Sequence, residues 1–422
     1  MNETKEQKQR SVEGPLKENI ILEEDQPYEV PKNWCFCYLT SVVKFSSGKS
    51  LTMKKMNPAG SIPVYGGNGV TGFHDSSNVE NEKIVIGRVG FYCGSVHLTP
   101  SKAWVTDNAL IASFTDKLFD KQYLYWNLTN LGLGKYSNSS AQPVISSKTL
   151  SKVPIPIAPL EEQRRIATKV NLLFSKIDEA KQLIEEVKES FELHRLSILK
   201  RAFRGELVNF TYKLEKLGSI VTLKSGNSLS EDVLSENGTI PYVKVSDMNS
   251  LENQREIVTA NKYIKENEKF HNKLFPKGTV IFPKRGGAIH TNKKRILATP
   301  TTCDLNIMGI ICPSTIHPFY MYYWMQSINL GSLDNGSSVP QINNKDIEPL
   351  EFPLTSMENQ EKVVKLLDNI YIKEDNFIKI IESKLQQLED LKQTVLNKAF
   401  RGELETNDLT EESAIELFRG TF

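Results

Sequence analysis

Ala202-Phe203-Arg204-Gly205-Glu206-Leu207 returns unchanged as Ala399-Phe400-Arg401-Gly402-Glu403-Leu404, 197 residues later. Each copy closes a long stretch with helical patterning, so the chain reads as a tandem duplication. Upstream of the motif the same offset holds without a gap: Glu161 and Gln163 meet Glu358 and Gln360, and Ile184 and Glu185 meet Ile381 and Glu382. Nearer the start of each half the offset changes to 178, where Ser47-Gly48-Lys49-Ser50-Leu51 meets Ser225-Gly226-Asn227-Ser228-Leu229. The second half therefore carries about 19 extra residues inside its globular part, a repeat far longer than a solenoid module.

Residues 159–207 and 356–404 read as two long helices. In the first, apolar or small residues fall at 166, 170, 173, 177, 180, 184, 187, 191, 198 and 202, with His194 in the one gap, which is a heptad seam. In the second, Val363, Leu367, Ile370, Phe377, Ile381, Leu388, Leu391, Val395 and Ala399 repeat it, while Glu374 and Lys384 interrupt it. Pro159 ahead of Glu161 and Glu162 suits a first turn, and Gly205 suits a C-terminal stop. About 43 helical residues would span about 65 Å. A helix cannot bury such a stripe alone, and the simplest solution pairs the two antiparallel. The remaining boundaries follow: a polar tail at 1–25 expected to be mobile or partner-ordered, globular parts at 26–158 and 208–355, and a short acidic tail at 405–422.

No run of 18 or more apolar residues is present, so no membrane span is expected, and the N-terminus lacks the apolar core of a signal peptide. Cys35, Cys37, Cys93, Cys303 and Cys312 form no metal-type pair of pairs and read as reduced thiols of a cytoplasmic protein. The net charge of +1 hides an asymmetry. Residues 31–150 carry 12 Lys and Arg against 6 Asp and Glu, and residues 213–348 carry 16 against 13, so the helices and tails hold the negative excess. Positive globular parts suit a polyanionic partner.

Catalytic constellations are missing. Ser47-Gly48-Lys49-Ser50 resembles the end of a phosphate-binding loop, but that loop needs glycine where Val43 stands. There is no H-E-x-x-H, no G-x-G-x-x-G after a strand, and no Asn/Asp-Pro-Pro-aromatic run of an amino-methyltransferase. No catalytic, cofactor-binding or metal site is expected on this chain. Basic loops after strand-like runs are the best nucleic-acid candidates, because glycines allow close approach and leave backbone N–H groups free. They give Arg88 in the first half and Lys284, Arg285, Lys293, Lys294 and Arg295 in the second, with Lys49, Tyr65, Asn68, Lys102 and Lys244 as supporting contacts. The aromatic runs Tyr123-Leu124-Tyr125-Trp126 and Tyr320-Met321-Tyr322-Tyr323-Trp324 read as core helices.

Pro159-Leu160-Glu161-Glu162-Gln163, the twice-used Ala-Phe-Arg-Gly-Glu-Leu, Gly87-Arg88-Val89-Gly90 with Thr106-Asp107-Asn108, and Pro27-Tyr28-Glu29-Val30-Pro31 before Trp34 together resemble the specificity (S) subunits of type I restriction–modification systems. The second half departs in Ser356-Met357-Glu358-Asn359-Gln360, Pro283-Lys284-Arg285-Gly286-Gly287 and Cys303-Asp304-Leu305-Asn306. The resemblance implies an α+β fold: two α/β target-recognition domains separated by a pair of long antiparallel coiled-coil helices, with a pseudo-twofold internal repeat. It implies that each domain reads half of a split, asymmetric site on double-stranded DNA and that the helices fix the gap. It further implies two methyltransferase (M) subunits carrying S-adenosylmethionine, and motor–nuclease (R) subunits using ATP and Mg. Glu161, Gln163, Phe203, Arg204, Gly205, Gln360, Phe400, Arg401 and Gly402 are then the expected spacer and subunit-contact residues. The rival reading is a coiled-coil protein-interaction adaptor without DNA binding.

Overall fold

The computed structural model describes residues 19–138, 142–264, 272–333 and 339–421. The chain forms two units, one of residues 1–183 and 383–422, the other of residues 184–382. The five longer helices are α1 (Lys121–Asn130), α2 (Leu160–Phe203), α3 (Pro318–Gln326), α4 (Met357–Ala399) and α5 (Ala414–Thr421). Each unit takes one segment of α2 and one of α4, so the fold is built of mixed sheets around a shared pair of long helices.

In the first unit, Lys44–Ser47, Ala109–Ser113, Ile84–Gly87 and Val96–Leu98 form a four-stranded antiparallel sheet in that spatial order. A second sheet sets Ile62–Gly66 between Gly69–His74 and Trp104–Val105. Ile84, Val85 and Ile86 are buried on both faces, the pattern of a central strand. The core gathers Ile84, Ile86, Tyr123, Leu124 and Leu128 with Ile166, Val170, Ala399 and Phe400. Asp120 caps α1 through its side chain, which accepts from Tyr123 N at 2.9 Å.

The second unit repeats the plan. Thr222–Ser225, Ile307–Ile311, Val280–Pro283 and Arg295–Leu297 form the equivalent sheet, extended by a fifth strand, Glu256–Ile257, parallel to Arg295–Leu297. That added strand lies between Ile240–Val243 and its hairpin partner Lys262–Ile264. It accounts for part of the change of offset seen in the sequence. Tyr320 through Met325 of α3 are all buried, as expected of a core helix.

The long helices run antiparallel in both units. In the first, Asp178 pairs with Lys392, and Lys181 with Glu389 at 2.8 Å. In the second, Lys188 pairs with Glu382 at 3.1 Å, and Arg195 with Glu374 at 2.7 Å and Asp375 at 2.5 Å. Ile166, Val170, Ile177, Ile198 and Ala202 bury the expected seam, but Val187, Phe377 and Leu391 remain roughly half exposed. Glu374, which breaks the apolar pattern, is buried opposite Arg195 and His194, the two residues at the gap in the first helix. The apolar mismatch is thus a paired charge, and it fixes register there.

The repeated hexapeptide is a helix stop. Gly205 and Gly402 adopt left-handed φ of 73° and 75°. Glu206 N donates to Arg201 O at 3.0 Å and Glu403 N to Lys398 O at 2.9 Å, while Gly205 N and Gly402 N donate to Ala202 O and Ala399 O. This is a Schellman closure in both copies, and only glycine takes that φ without strain.

One terminal expectation is corrected. Of the 1–25 tail, residues 1–18 lie outside the described residues, but Ile20–Ile21 pairs antiparallel with Phe36 and Cys37 and buries Ile21. An apolar Ile-Ile pair completing a sheet edge outweighs the polar composition around it. In the 405–422 segment α5 buries Ala414 and Phe418, and Arg165 holds Glu411 through two hydrogen bonds of 2.7 and 2.9 Å. Among the described residues no helix is long and apolar enough to cross a membrane.

Candidate nucleic-acid interface

In the first unit the strand Ile84–Gly87 ends in a loop on which three other loops converge. Arg88 N donates to Asn108 O at 2.9 Å, and Ile145 N donates to Arg88 O at 2.8 Å. The Arg88 guanidinium donates through Nη1 to Ser47 Oγ at 3.3 Å, and Ser47 Oγ reaches Asp107 O at 3.4 Å. Ser95 Oγ donates to Gly67 O at 3.0 Å, bringing in the hairpin tip that carries Asn68. A Cβ at Gly87 would sit 2.1 Å from Gly67 O, so glycine is required for this approach. Arg88 Nε is shielded from solvent and has no hydrogen-bond partner among the described residues. Lys49 and Asn68 are exposed at the rim.

The second unit builds the same junction with other side chains. Lys284 N donates to Asn306 O at 2.8 Å, Ile342 N to Lys284 O at 2.9 Å, and Lys284 Nζ to Ser225 Oγ at 2.8 Å. Lys284 therefore occupies the place of Arg88, and Ser225 that of Ser47. Gly90 and Gly286 are also equivalent: both have positive φ, and their N–H groups donate to Pro143 O and Pro340 O. It follows that Arg285, which is exposed, stands where the first unit has Val89, and Gly287 where it has Phe91. Burial, and the neighbouring Arg285 charge, push the Lys284 ammonium below the usual lysine range. A partly desolvated cation gains most from an anionic ligand.

Not every candidate from the sequence belongs to these clusters. Tyr65 is buried, with its hydroxyl donating to Leu98 O at 3.3 Å, so it is a packing residue. Lys294 is fully buried and donates to Asn292 Oδ1 at 2.7 Å and Ile328 O at 2.6 Å; burial lowers its pKa to about 7. Arg295 clamps three backbone carbonyls, those of Asn253, Lys294 and Met248, and burial holds it below the usual arginine range. Both belong to the framework: Lys294 holds the turn after Gly287 to the end of α3, and Arg295 holds the added segment. Lys293 bonds to Asn249, and Lys244 faces Glu231 at 3.8 Å. Lys102 is exposed beside the start of Trp104–Val105. Sequence reasoning missed Ser47 and Ser225 as partners of the cations. It also missed Phe91 and Tyr92, which are 92% and 53% exposed. Their place between two glycines of a cationic loop was the available signal.

The expected subunit-contact residues divide in the same way. Gln163 is buried: its Nε2 donates to Leu118 O and Ala158 O at 2.9 Å, and its Oε1 accepts from Asp120 N at 2.9 Å. Gln360 repeats the arrangement with Thr315 O, Thr355 O and His317 N. Phe203 packs on Tyr320 at 4.9 Å and Phe400 on Tyr123 at 5.3 Å. These four tie each long helix to its own unit's interior and offer nothing to a second chain. Gly205 and Gly402 serve the helix stops. A Cβ at Gly402 would also strike Pro31 at 2.3 Å. Glu161, Arg204 and Arg401 are exposed, with Glu161 paired to Arg164 and Arg401 lying over the Tyr28 ring at 5.0 Å.

Residues 31–189 and 210–390 each match the family model described as the type I restriction modification DNA specificity domain. The chain is 21% identical over 362 residues to the EcoBI type I restriction enzyme specificity subunit of Escherichia coli, covering 76% of this chain and 74% of that one. It is 24% identical over 336 residues to the EcoKI specificity subunit of E. coli strain K12, covering 75% and 68%. Among solved structures it is similar in fold to a chain from a study of complex assembly and conformational transition of the type I R-M system. That match has a TM-score of 0.71 and 18% identity, and covers 90% of this chain and all of that one. The HsdS subunit of Thermoanaerobacter tengcongensis matches with a TM-score of 0.54, at 18% identity, over 90% and 99% of the two chains.

Proposed function

The chain belongs to the type I restriction modification DNA specificity family, and from that premise we propose that its two loop clusters each read one half of a split, asymmetric DNA site. One observation carries the reading. Both units build the same junction from the same backbone hydrogen bonds, yet present different side chains: Arg88, Val89 and Phe91 in one, Lys284, Arg285 and Gly287 in the other. An equal scaffold with unequal tips is what two half-sites of different sequence require.

Arginine offers a bidentate fork suited to guanine O6 and N7, whereas lysine acts as a point charge toward phosphate or a single acceptor. Arg88, half-buried with its Nη1 on Ser47 Oγ, is the guanidinium that the first cluster brings to its surface. The backbone N–H groups and exposed lysines of the rim fix the position of the duplex, and base-facing side chains select the sequence.

The chain itself is non-catalytic in this reading. It supplies specificity to two methyltransferase subunits that bind S-adenosylmethionine and methylate adenine, and to motor–nuclease subunits that use ATP and Mg. The long helices set the gap between half-sites and dock the methyltransferase subunits, and the half-exposed Val187, Phe377 and Leu391 are apolar surface available for that contact. The complex works in the cytoplasm, where the DNA is.

The test is a genome-wide map of methylated adenines in the host with and without the gene. Loss of one split, asymmetric motif with the gene is the expected result. An unchanged map, in a host expressing both this chain and a methyltransferase partner, overturns the reading.

A further inference from the structure

The loop between Gly87 and Ser95 ends in the most exposed aromatic side chain of the described residues. Phe91 is 92% exposed, and Tyr92 beside it is 53% exposed. The two rings meet edge to face at 5.1 Å, so each limits the other's motion. Single exposed apolar residues need no explanation. Here two adjacent aromatics stand on a base fastened at every step. Gly90 N donates to Pro143 O at 3.1 Å, Cys93 N to Gly90 O at 3.0 Å, Gly94 N to Gly87 O at 2.8 Å and Ser95 N to Tyr92 O at 3.1 Å. Gly94 has a φ of 91°, and a Cβ there would lie 2.1 Å from Gly134 N, so the loop root is pressed against the segment carrying exposed Lys135. Arg88 begins the loop, and its carbonyl accepts from Cys93 Sγ at 3.3 Å. A stiff apolar tip near two cations does not suit a protein core. It suits a polyanion whose interior presents flat apolar faces.

Resting on the half-site reading above, we propose that Phe91 is a wedge that enters a base step of the DNA half-site read by the first unit, with Tyr92 positioning it. Partial unstacking at that step kinks the duplex away from the inserted ring, and the nearby cations hold the adjoining phosphates. The second unit has Gly287 and Ala288 at these places and so lacks a wedge. The two half-sites therefore differ in kind: the first is selected partly by how readily one step opens, the second by direct contacts alone. Pyrimidine–purine steps, which unstack most readily, are favoured at the wedge position.

The test uses the full chain assembled with its methyltransferase subunits and labelled duplexes carrying the mapped site. F91A should bind the intact site on the order of 10- to 100-fold more weakly, the value of a base–aromatic stack. A mismatch that weakens one particular step of the first half-site should cut the wild-type to F91A affinity ratio at least about fivefold, because the unstacking no longer has to be driven by the ring. Mismatches in the other half-site should leave the ratio unchanged. F91W should retain most of the wild-type affinity. Equal binding by wild type and F91A overturns the wedge, as does a ratio that no mismatch changes. If F91A instead lowers the yield of complex with the methyltransferase subunits before DNA is added, Phe91 is a subunit contact and the wedge is wrong. Failure of the wild-type complex to bind its mapped site would count against the half-site reading itself.

Discussion

At the scale of single residues, the side chains that repeat between the two halves are the ones that fasten each long helix within its own unit. Gln163 and Gln360 each satisfy three buried backbone groups. Replacing Gln163 with Ala leaves two carbonyls and one N–H without partners, each costing about 1–3 kcal/mol when buried. Q163A should therefore destabilise the first unit by about 3 kcal/mol or more, and Q360A the second by a similar amount, read as a fall in the denaturant midpoint at unchanged slope. Lys294 gives a pH signature. Its folded pKa, lowered by burial to about 7, lies below the unfolded value of 10.5. Between those values the unfolded chain binds the extra proton, so stability of the second unit should rise with pH from about 7 toward 10. K294M should flatten that rise in melting temperature, and a slope equal to wild type would show that the lysine is not the group responsible. The Lys293-Lys294-Arg295 run also shows where sequence reasoning fails. In sequence the three cations look alike, yet tertiary contacts bury Lys294 and bind Arg295 to backbone carbonyls, and charge alone carries no information about burial.

At the scale of elements, the long helices were legible because a heptad seam and a glycine stop leave strong local signals. Even the seam's interruption had a readable cause, since Glu374 needed a cation and the other helix offers Arg195. The half-exposure of the seam at Val187 and Phe377 was not legible, because periodicity reports which face is apolar and not what covers it. The antiparallel register sharpens the ruler idea. An insertion in one helix alone would misalign either the Lys181–Glu389 pair or the Lys188–Glu382 pair. Four residues inserted after Glu185 together with four after Lys384 keep both pairs and add about 6 Å. The preferred gap between half-sites should lengthen by about two base pairs, at about 3.4 Å each, with both half-sites unchanged. Methylation mapping of the variant checks this, and an unaltered gap would refute the ruler.

At the scale of the whole molecule, duplication was the easiest feature to read and the loop clusters the hardest. The loops depend on contacts between segments far apart in sequence: Ser47, Gly67, Arg88, Asn108 and Ile145 meet only after two sheets have formed. The reading of two independent half-site readers makes a paired prediction. R88A should relax base preference only in the half-site of the first unit, and K284A only in that of the second, each weakening binding by about 1–3 kcal/mol. Binding across a panel of singly substituted sites checks both, and equal loss of selectivity at both halves from either variant would contradict independence.

The helix stops carry one further consequence. The first copy of the hexapeptide closes onto the aromatic helix of the second unit through Phe203 and Tyr320, and the second copy closes back onto the first unit through Phe400 and Tyr123. The strand Ile20–Ile21 and helix α5 belong to that same first unit, where Ala414 N donates to Asn33 O at 2.8 Å. Identical seams at two places in the chain mark out an exchangeable cassette. An exchange with another allele at both coding copies of Ala-Phe-Arg-Gly-Glu-Leu would replace one reader while leaving both closures intact, so a lineage could acquire a new DNA address without redesigning the scaffold that carries it.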